Sequence, residues 1–286
     1  MKELTNEVKQ FVLDQGMDLV GIASTDKLNE LTPKGYNRPK DLLAECKSSI
    51  VMALRWTDTL IDGLPEIRAM YSRMMIMMNN QLDQTLLRIA RFLTKRGFLA
   101  LPIHASDPYD LSSLRGVLSH KHAAVQAGLG EFGLSNLLLT PQFGPRQRFA
   151  QLLTDAKLVA DKPLSLDLCE KTTPECNFAC IAMCPKNLIP NDYERNPSIM
   201  KTVVWKGTDI DKPGCSYYQD RGLPHMGRNG YTFRCGLCIN ACPVGSDIPK
   251  RESISKGIRP AKIDSRLGIS DQLRGFRGYP ILLQKG

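Results

Sequence analysis

The apolar positions of the first hundred residues alternate between a helical and a strand-like pattern. Residues 4–15 carry apolar side chains at the three- and four-residue intervals of an amphipathic helix, and Gly16 follows as its C-terminal cap. Short apolar runs at 19–23 and 50–54 have the length of buried strands. Over 66–96 the apolar side chains return to a helical period, which predicts one or two helices. Helix and strand therefore alternate from the start of the chain.

The same alternation continues through the next sixty residues. We predict a strand near 98–102, a helix over 120–128, and further strands at 136–140 and 149–154. Turn-forming Gly and Pro residues separate these segments. The sequence thus predicts an α/β domain over residues 1–160.

The pattern weakens after this domain, and the composition changes to cysteine, proline and loop-forming residues. Residues 161–250 contain few apolar side chains, so we expect bound metal to stabilise a second domain there. Residues 251–286 are rich in Arg, Lys and Gly without clear periodicity and are predicted to form a C-terminal tail. The predicted fold class is α+β.

The number and positions of the cysteines indicate which kind of site this chain contains. Eight of the nine cysteines lie between Cys169 and Cys242, and the other, Cys46, is predicted to be a small packed side chain. No apolar run reaches the roughly 18 residues of a membrane-spanning helix, and the N-terminal sequence lacks the pattern of a secretory signal. We therefore expect a cytoplasmic protein without a membrane segment, in which clustered cysteines indicate metal rather than disulfides.

The cysteines form two runs, each of which ends in Cys-Pro. The first run is Cys169-x6-Cys176-x3-Cys180-x3-Cys184-Pro185, and the second is Cys235-x2-Cys238-x3-Cys242-Pro243, with Cys215 between them. In two-cluster ferredoxins the first three cysteines of a run bind one 4Fe-4S cluster, and the fourth, before proline, binds the other. Proline ends the segment, so the last thiolate points away from the first three.

This crossed pattern assigns all eight cysteines to two clusters. The first cluster takes Cys169, Cys176, Cys180 and Cys242, and the second takes Cys184, Cys215, Cys235 and Cys238. Clusters that share their runs are expected to lie close enough to exchange electrons, which predicts an electron-transfer function. A pair of four-cysteine zinc sites is the alternative, although zinc ribbons lack the twofold Cys-Pro ending. The wide gap after Cys169 departs from the common spacing.

Further segments, in the same order, resemble the epoxyqueuosine reductase and reductive dehalogenase superfamily. They are Asp-Leu-Val-Gly-Ile-Ala at 18–23, Arg-Pro-Lys-Asp-Leu-Leu at 38–43, Ala-Gly-Leu-Gly-Glu-Phe-Gly at 127–133 and Leu-Leu-Leu-Thr-Pro-Gln-Phe-Gly-Pro-Arg at 137–146, followed by the two cysteine runs. The resemblance implies a nitroreductase-like α/β domain that holds a base-off cobalamin in characterised members. It also implies a ferredoxin-like domain with two 4Fe-4S clusters over 161–250.

The resemblance implies a reductase in which the clusters reduce the cobalt of a corrinoid for removal of an epoxide oxygen or a halide from a small substrate. A ferredoxin or flavodoxin would supply the electrons. The glycine-rich loop and the segment after it are the candidates for corrinoid contacts, because glycine permits close approach of the backbone. These candidates are Gly128, Gly130, Gly133, Ser135, Asn136 and Arg146. An ordinary turn between helix and strand is the alternative for the loop.

A proton donor for this chemistry is expected before or within residues 104–122, where the candidates are Tyr109, His120 and Asp107. Surface or core roles are the alternative for each of the three. The proton-donating Asp of the epoxyqueuosine reductases falls near Leu114 in this chain, and the helical repeats that those enzymes use on tRNA are not recognised. We therefore expect tRNA to be an unlikely partner. Because the export signal usual for respiratory dehalogenases is not recognised either, a respiratory role is not expected.

The chain has a formal net charge of +9, which favours acidic partners, nucleic acid or anionic cofactors. Three functions remain open from the sequence. The first is an iron-sulfur reductase with a corrinoid, and the second is an electron carrier or activator that delivers electrons to a partner enzyme. The third is a tRNA-modifying reductase of the queuosine type.

Overall fold

A four-stranded antiparallel sheet forms the centre of the computed structural model. Its strands lie in the spatial order Leu19–Ser24 (β1), Ser48–Arg55 (β2), Gln147–Thr154 (β8) and Ala100–Ile103 (β3). The structure describes residues 1–32, 37–106, 109–110, 114–169, 176–191, 210–223, 225–226, 231–232, 234–246 and 256–257. The strands are β1 Leu19–Ser24, β2 Ser48–Arg55, β3 Ala100–Ile103, β4 Tyr109–Asp110, β5 Arg115–Gly116, β6 Glu131–Phe132, β7 Leu138–Leu139, β8 Gln147–Thr154, β9 His225–Met226 and β10 Tyr231–Thr232.

Helices precede, connect and follow these strands along the chain. They are α1 Lys2–Asp14, α2 Thr25–Leu31, α3 Pro39–Leu42, α4 Asp58–Asp62, α5 Arg68–Thr94, α6 His120–Gln126, α7 Ala179–Ala182, α8 Lys212–Tyr217 and α9 Leu237–Ala241. A π-helical turn, Tyr218–Gly222, continues α8.

The sheet is buried on both faces at β2, which explains the uninterrupted apolar run at residues 50–54 of this strand. Leu82 and Ile89 of α5 pack with Ile50 and Leu152 on one face. On the other face, three consecutive side chains of α6, 123–125, pack with the alternate residues of β2. The result is a sheet between two helical layers.

The cysteine-bearing segments lie against this α/β part. The Asn240 side-chain amide of α9 donates a hydrogen bond to the Ile61 carbonyl at 2.8 Å. The Arg234 N–H donates to Ser72 Oγ of α5 at 2.7 Å. The division into domains at residue 160 stays a prediction, and these contacts cross it.

Most of the elements predicted from apolar patterns are present. The first helix, the strands at 19–23, 50–54 and 149–154, and the long helix within 66–96 are confirmed, and Gly16 has the positive φ, 82°, of a C-terminal cap. The short helices α2 and α3 were not predicted, and the strand predicted at 136–140 is reduced to β7. In the described ranges, no helix is long and apolar enough to cross a membrane.

Candidate metal centres

Four thiols line one pocket, where the β6–β7 hairpin meets α7 and the segment that follows α9. They belong to Cys169, Cys176, Cys180 and Cys242. The other walls are mostly apolar and include Leu134, Leu139, Phe178 and Val244. The structure therefore brings together the four cysteines that the crossed pattern assigns to the first cluster, although the sequence separates Cys242 widely from the other three.

The second set of thiols forms its own group. Burial, and then the proximity of Cys235, Cys215 and Cys184, raises the pKa of Cys238 to about 12. Cys215 Sγ also accepts a hydrogen bond from the Gln219 side chain at 3.4 Å. These are the four cysteines assigned to the second cluster.

The two groups are neighbours. Burial raises the pKa of Cys180, and the thiols that raise it further include Cys238 of the second group as well as the other three of the first. Burial likewise raises the pKa of Cys169 to about 11. These thiols are therefore protonated at neutral pH without metal, and metal binding must release protons.

The two Cys-Pro pairs explain how one run reaches both groups. α9 carries Cys238 and ends at Cys242, which has extended backbone angles of φ −71° and ψ 125°. A residue before proline is forced out of the helical region, so Cys242 leaves the helix and faces the other group. In the first run, the Leu188 N–H donates to Cys184 Sγ at 3.3 Å, which fixes the thiol that precedes Pro185.

The thiol arrangement differs from that of a site for one ion. Among the described residues, no three His, Cys, Asp or Glu side chains converge closely enough to hold a single metal ion. A zinc ion needs four ligands at about 2.0–2.3 Å from one point, whereas each thiolate of a 4Fe-4S cube binds a different iron. A cube therefore does not require the four thiols to converge on one point.

The first four predicted corrinoid contacts fall into two pairs. A Cβ at Gly128 would overlap the Lys162 carbonyl, and one at Gly130 would overlap the Leu139 carbonyl. These glycines therefore allow the chain to pack closely against itself. Gly133 and Ser135 line the pocket of the first cysteine group.

Arg146 and Asn136 are engaged within the protein. The fully buried Arg146 guanidinium donates to Asp58 at 3.1 Å and to Asp62 at 2.6 Å. The backbone carbonyl of Asn136 accepts a hydrogen bond from Lys121 Nζ at 2.7 Å. Arg146 and the backbone carbonyl of Asn136 are thus occupied within the protein, and the contact of all six residues with a corrinoid stays a prediction.

The candidate proton donors are only partly described. Asp107 lies outside the described residues, and Tyr109 is placed through its backbone alone, opposite Gly116 in the β4–β5 pair. His120 Nε2 lies 2.7 Å from the His104 carbonyl, so this nitrogen must donate. Burial lowers the pKa of His120 to about 4, which leaves the ring neutral at pH 7. The catalytic role of all three residues stays a prediction.

Two charged residues beside the thiols were not singled out from the sequence. Glu131 is buried at the start of the β6–β7 hairpin and accepts hydrogen bonds from the loop before Cys169. Burial, followed by repulsion from Lys212, lowers the pKa of Lys121 to about 8. Glu131 belongs to the glycine-rich segment 127–133. The loop that it binds lies far from it in the sequence, so no local sequence pattern indicates the contact.

Comparison with proteins of known sequence gives relatives of two kinds. A tetrachloroethene reductive dehalogenase from Desulfitobacterium hafniense is 32% identical over 164 residues, which cover 54% of this chain and 25% of the dehalogenase. An epoxyqueuosine reductase from Listeria monocytogenes is 33% identical over 173 residues, which cover 57% of this chain and 41% of that enzyme. The match thus spans less than half of either relative. No protein-family model matches the chain.

Solved structures give the same two kinds of neighbour. A reductive dehalogenase whose structure suggests a mechanism for B12-dependent dehalogenation has a TM-score of 0.59 at 19% identity, covering 92% of this chain and 34% of that one. An epoxyqueuosine reductase with an epoxyqueuosine-modified tRNA stem loop has a TM-score of 0.57 at 19% identity, covering 85% and 65%. At this identity the likeness establishes the mixed α/β fold.

Proposed function

The chain belongs to the superfamily of epoxyqueuosine reductases and reductive dehalogenases, and from that premise we propose that it is an iron-sulfur reductase with two 4Fe-4S clusters. In this proposal residues 161–250 form a ferredoxin-like domain beside a nitroreductase-like domain, 1–160. A reductase is the function common to the two kinds of relative.

One observation carries the proposal. The pocket beside the β6–β7 hairpin is lined by three cysteines of the first run together with Cys242 of the second. Two independent zinc sites would use each run by itself, whereas a crossed set is the ligand pattern of two-cluster ferredoxins.

The residues that would hold the clusters follow from the two thiol groups. Cys169, Cys176, Cys180 and Cys242 would hold the first cluster, and Cys184, Cys215, Cys235 and Cys238 the second. Bound clusters of this type supply one-electron transfer at low potential. A ferredoxin or flavodoxin would be the electron donor, and the closeness of the two groups suits transfer between them.

The end of the electron path is proposed from the relatives. A structural neighbour has a B12-dependent mechanism, and a corrinoid bound to this chain would supply reductive chemistry on a small halogenated or epoxide-bearing substrate. An electron carrier that serves a partner enzyme is the alternative if no corrinoid binds.

A tRNA substrate is a further candidate because one neighbour was solved with an epoxyqueuosine-modified tRNA stem loop. The net charge of +9 is compatible with a nucleic-acid partner. A binding assay with an anticodon stem loop at two salt concentrations tests this candidate separately from the metal content.

The first test is metal analysis after anaerobic purification. The proposal requires about eight iron and eight sulfide per chain, and zinc in their place, or four iron or fewer, would contradict it. Added cobalamin that binds at one per chain, with a cobalt EPR signal, supports the reductase, whereas no uptake favours the electron carrier.

Single Cys→Ser variants then test the crossed assignment. Cys169→Ser and Cys242→Ser are expected to leave the same residual EPR signal, although the two residues belong to different runs. Cys184→Ser removes a ligand of the second cluster and is therefore expected to leave the EPR signal of the first cluster. Cys46→Ser is the matched control, because Cys46 is buried in a separate cluster with Ile103 and Leu153.

A further inference from the structure

Glu131 holds the loop that leads to Cys169. Its side chain is 1% exposed, and its carboxylate accepts hydrogen bonds from the backbone N–H groups of residues 166, 167 and 168. The first two have lengths of 3.1 and 3.2 Å. One buried side chain thus satisfies three consecutive backbone donors immediately before the cysteine.

The loop has a conformation that requires such support. Asp167 has a φ of 53°, in the left-handed region that L-residues with side chains adopt infrequently. The N–H groups of Leu166, Asp167 and Leu168 can point at one carboxylate because the chain turns at this residue. Without that acceptor, three partly buried backbone donors would lose this partner.

The same hairpin also reaches the thiol itself. The Leu134 N–H donates a hydrogen bond to Cys169 Sγ, and Leu134 lines the pocket together with Gly133 and Ser135. Glu131 and Leu134 are three positions apart, so a short stretch of the α/β part fixes both the Cys169 backbone and its sulfur.

Cys169 depends on this anchor more than its partners do. Cys180 lies on α7, and Cys242 follows α9 directly. Cys169 instead precedes Cys176 by the wide six-residue gap, so short-range spacing does not fix its position. Glu131 compensates for this through hydrogen bonds from outside the cysteine runs.

We propose that Glu131 is the positioning residue of the first cluster: it sets Cys169 in place, and its negative charge makes this cluster harder to reduce. The proposal rests on the proposed function, because it requires a cluster on Cys169. The charge effect follows from electrostatics, since reduction adds an electron and a nearby carboxylate opposes that addition.

Glu131→Gln tests both parts, with Glu45→Gln as the matched control at an exposed position. A Gln side chain keeps one acceptor oxygen and turns an NH₂ group toward the backbone donors. We expect the variant to lose part of its iron and the EPR signal of one cluster. In the chains that retain both clusters, a dithionite titration with redox mediators should show that cluster reduced at a more positive potential. The other cluster and the control should be unchanged.

Cys169→Ser and the double variant establish that Glu131 acts through Cys169. We expect the double variant to retain as much iron as Cys169→Ser alone, since the two residues then form one unit. Additive losses, or a Glu131→Gln protein with unchanged iron content and potentials, would overturn the proposal. Failure of the wild type to bind about eight iron would instead overturn the proposed function.

If Glu131→Gln does not fold, Glu131→Asp supplies the second measurement. It keeps the charge but shortens the side chain, so it should weaken the hold on the loop and leave the potential of the retained first cluster close to that of the wild type. A positive shift of that potential in Glu131→Asp would contradict the charge assignment.

Discussion

Arg146 carries a guanidinium group at a position without solvent exposure, and two carboxylates from α4 face it. The Asp62 side chain is almost fully buried, whereas that of Asp58 is 22% exposed and also pairs with Arg55. Removal of one partner from a buried ion pair leaves an uncompensated charge and typically costs about 3–5 kcal/mol. The pairing therefore links α4 to the residue that directly precedes β8.

Asp62→Ala is expected to lower the unfolding free energy by roughly this amount, about 3–5 kcal/mol. Asp58→Ala is the control and is expected to cost less, because Arg146 keeps its shorter contact with Asp62. Chemical unfolding followed by circular dichroism measures both. Equal losses of unfolding free energy in the two variants would contradict the prediction that the buried carboxylate of Asp62 contributes more than the partly exposed one of Asp58.

His120 is expected to make the stability of the protein depend on pH. Burial is the main reason that the pKa of His120 falls to about 4 from 6.5, with Arg148 contributing, whereas the His104 carbonyl and Asp83 oppose the shift. Above pH 6.5 the ring is neutral in both folded and unfolded chains. As the pH falls from there toward 4, the unfolded chain binds a proton that the folded chain excludes.

Stability is therefore expected to fall as the pH is lowered through this window. In His120→Gln this part of the fall should be absent, so its Tm should drop less between about pH 7 and about pH 5. His104→Gln is the matched control, because the His104 side chain is 60% exposed. Parallel pH profiles for the wild type and His120→Gln would contradict the prediction.

At the scale of elements, the turn before β8 meets the segment after α9 by backbone contact. A Cβ at Gly144 would overlap the carbonyl of Val244, two residues beyond Cys242. Gly97 has a positive φ like Gly144, but a Cβ there would meet no atom within 4 Å. Substitution of the two glycines therefore allows the effect of steric overlap to be distinguished from the effect of backbone strain.

Gly144→Ala is expected to displace the 243–245 segment and reduce the iron content, with the loss concentrated in the cluster of Cys242. Gly97→Ala should cost only the strain of a left-handed residue, about 1–2 kcal/mol, with normal iron content. Iron analysis and thermal unfolding of both variants make the comparison. Normal iron in Gly144→Ala would show that the segment tolerates the shift.

The elements that could be predicted from sequence are those whose patterns are local. β2 and β8 are buried along nearly their whole length, and their apolar residues, continuous over 50–54 and clustered within 149–154, have the extent of short buried strands. The strand order could not be predicted. β8 pairs with both β2 and β3, and the sequences of these strands do not indicate which strands are paired. Helices α2 and α3 were missed because they are short and exposed over much of their surface.

In the candidate site, too, the residues with a local sequence pattern could be predicted and the others could not. The grouping of the cysteines followed from their spacing, since proline after Cys184 and Cys242 has a local effect on the backbone. Glu131 could not be found in this manner, because its role is defined by a loop that begins at Leu166. Gly128 and Gly130 were considered for a cofactor, whereas their described neighbours are carbonyls of the chain itself.

At the scale of the whole molecule, the first thiol pocket has walls from both parts of the chain. The β6–β7 hairpin contributes Gly133, Leu134 and Leu139, and the cysteine-bearing segments contribute the thiols. A cluster bound there would stabilise the contact between the two parts, since a ligand that binds only the folded state adds to its stability. Electron delivery and folding are thus expected to depend on the same contact.

The net charge of +9 bears on how electrons would reach the clusters. An acidic ferredoxin or flavodoxin should be attracted to this chain over a range set by the Debye length, which shrinks from about 30 Å at 0.01 M salt to about 3 Å at 1 M. Its second-order rate of cluster reduction, measured by anaerobic stopped flow, is therefore expected to fall about 10- to 1000-fold with rising salt. Reduced methyl viologen, a small cation, is the control, and its rate should stay level or rise because salt screens repulsion. A donor-protein rate that does not change with salt would show that the charge is spread too evenly to guide docking.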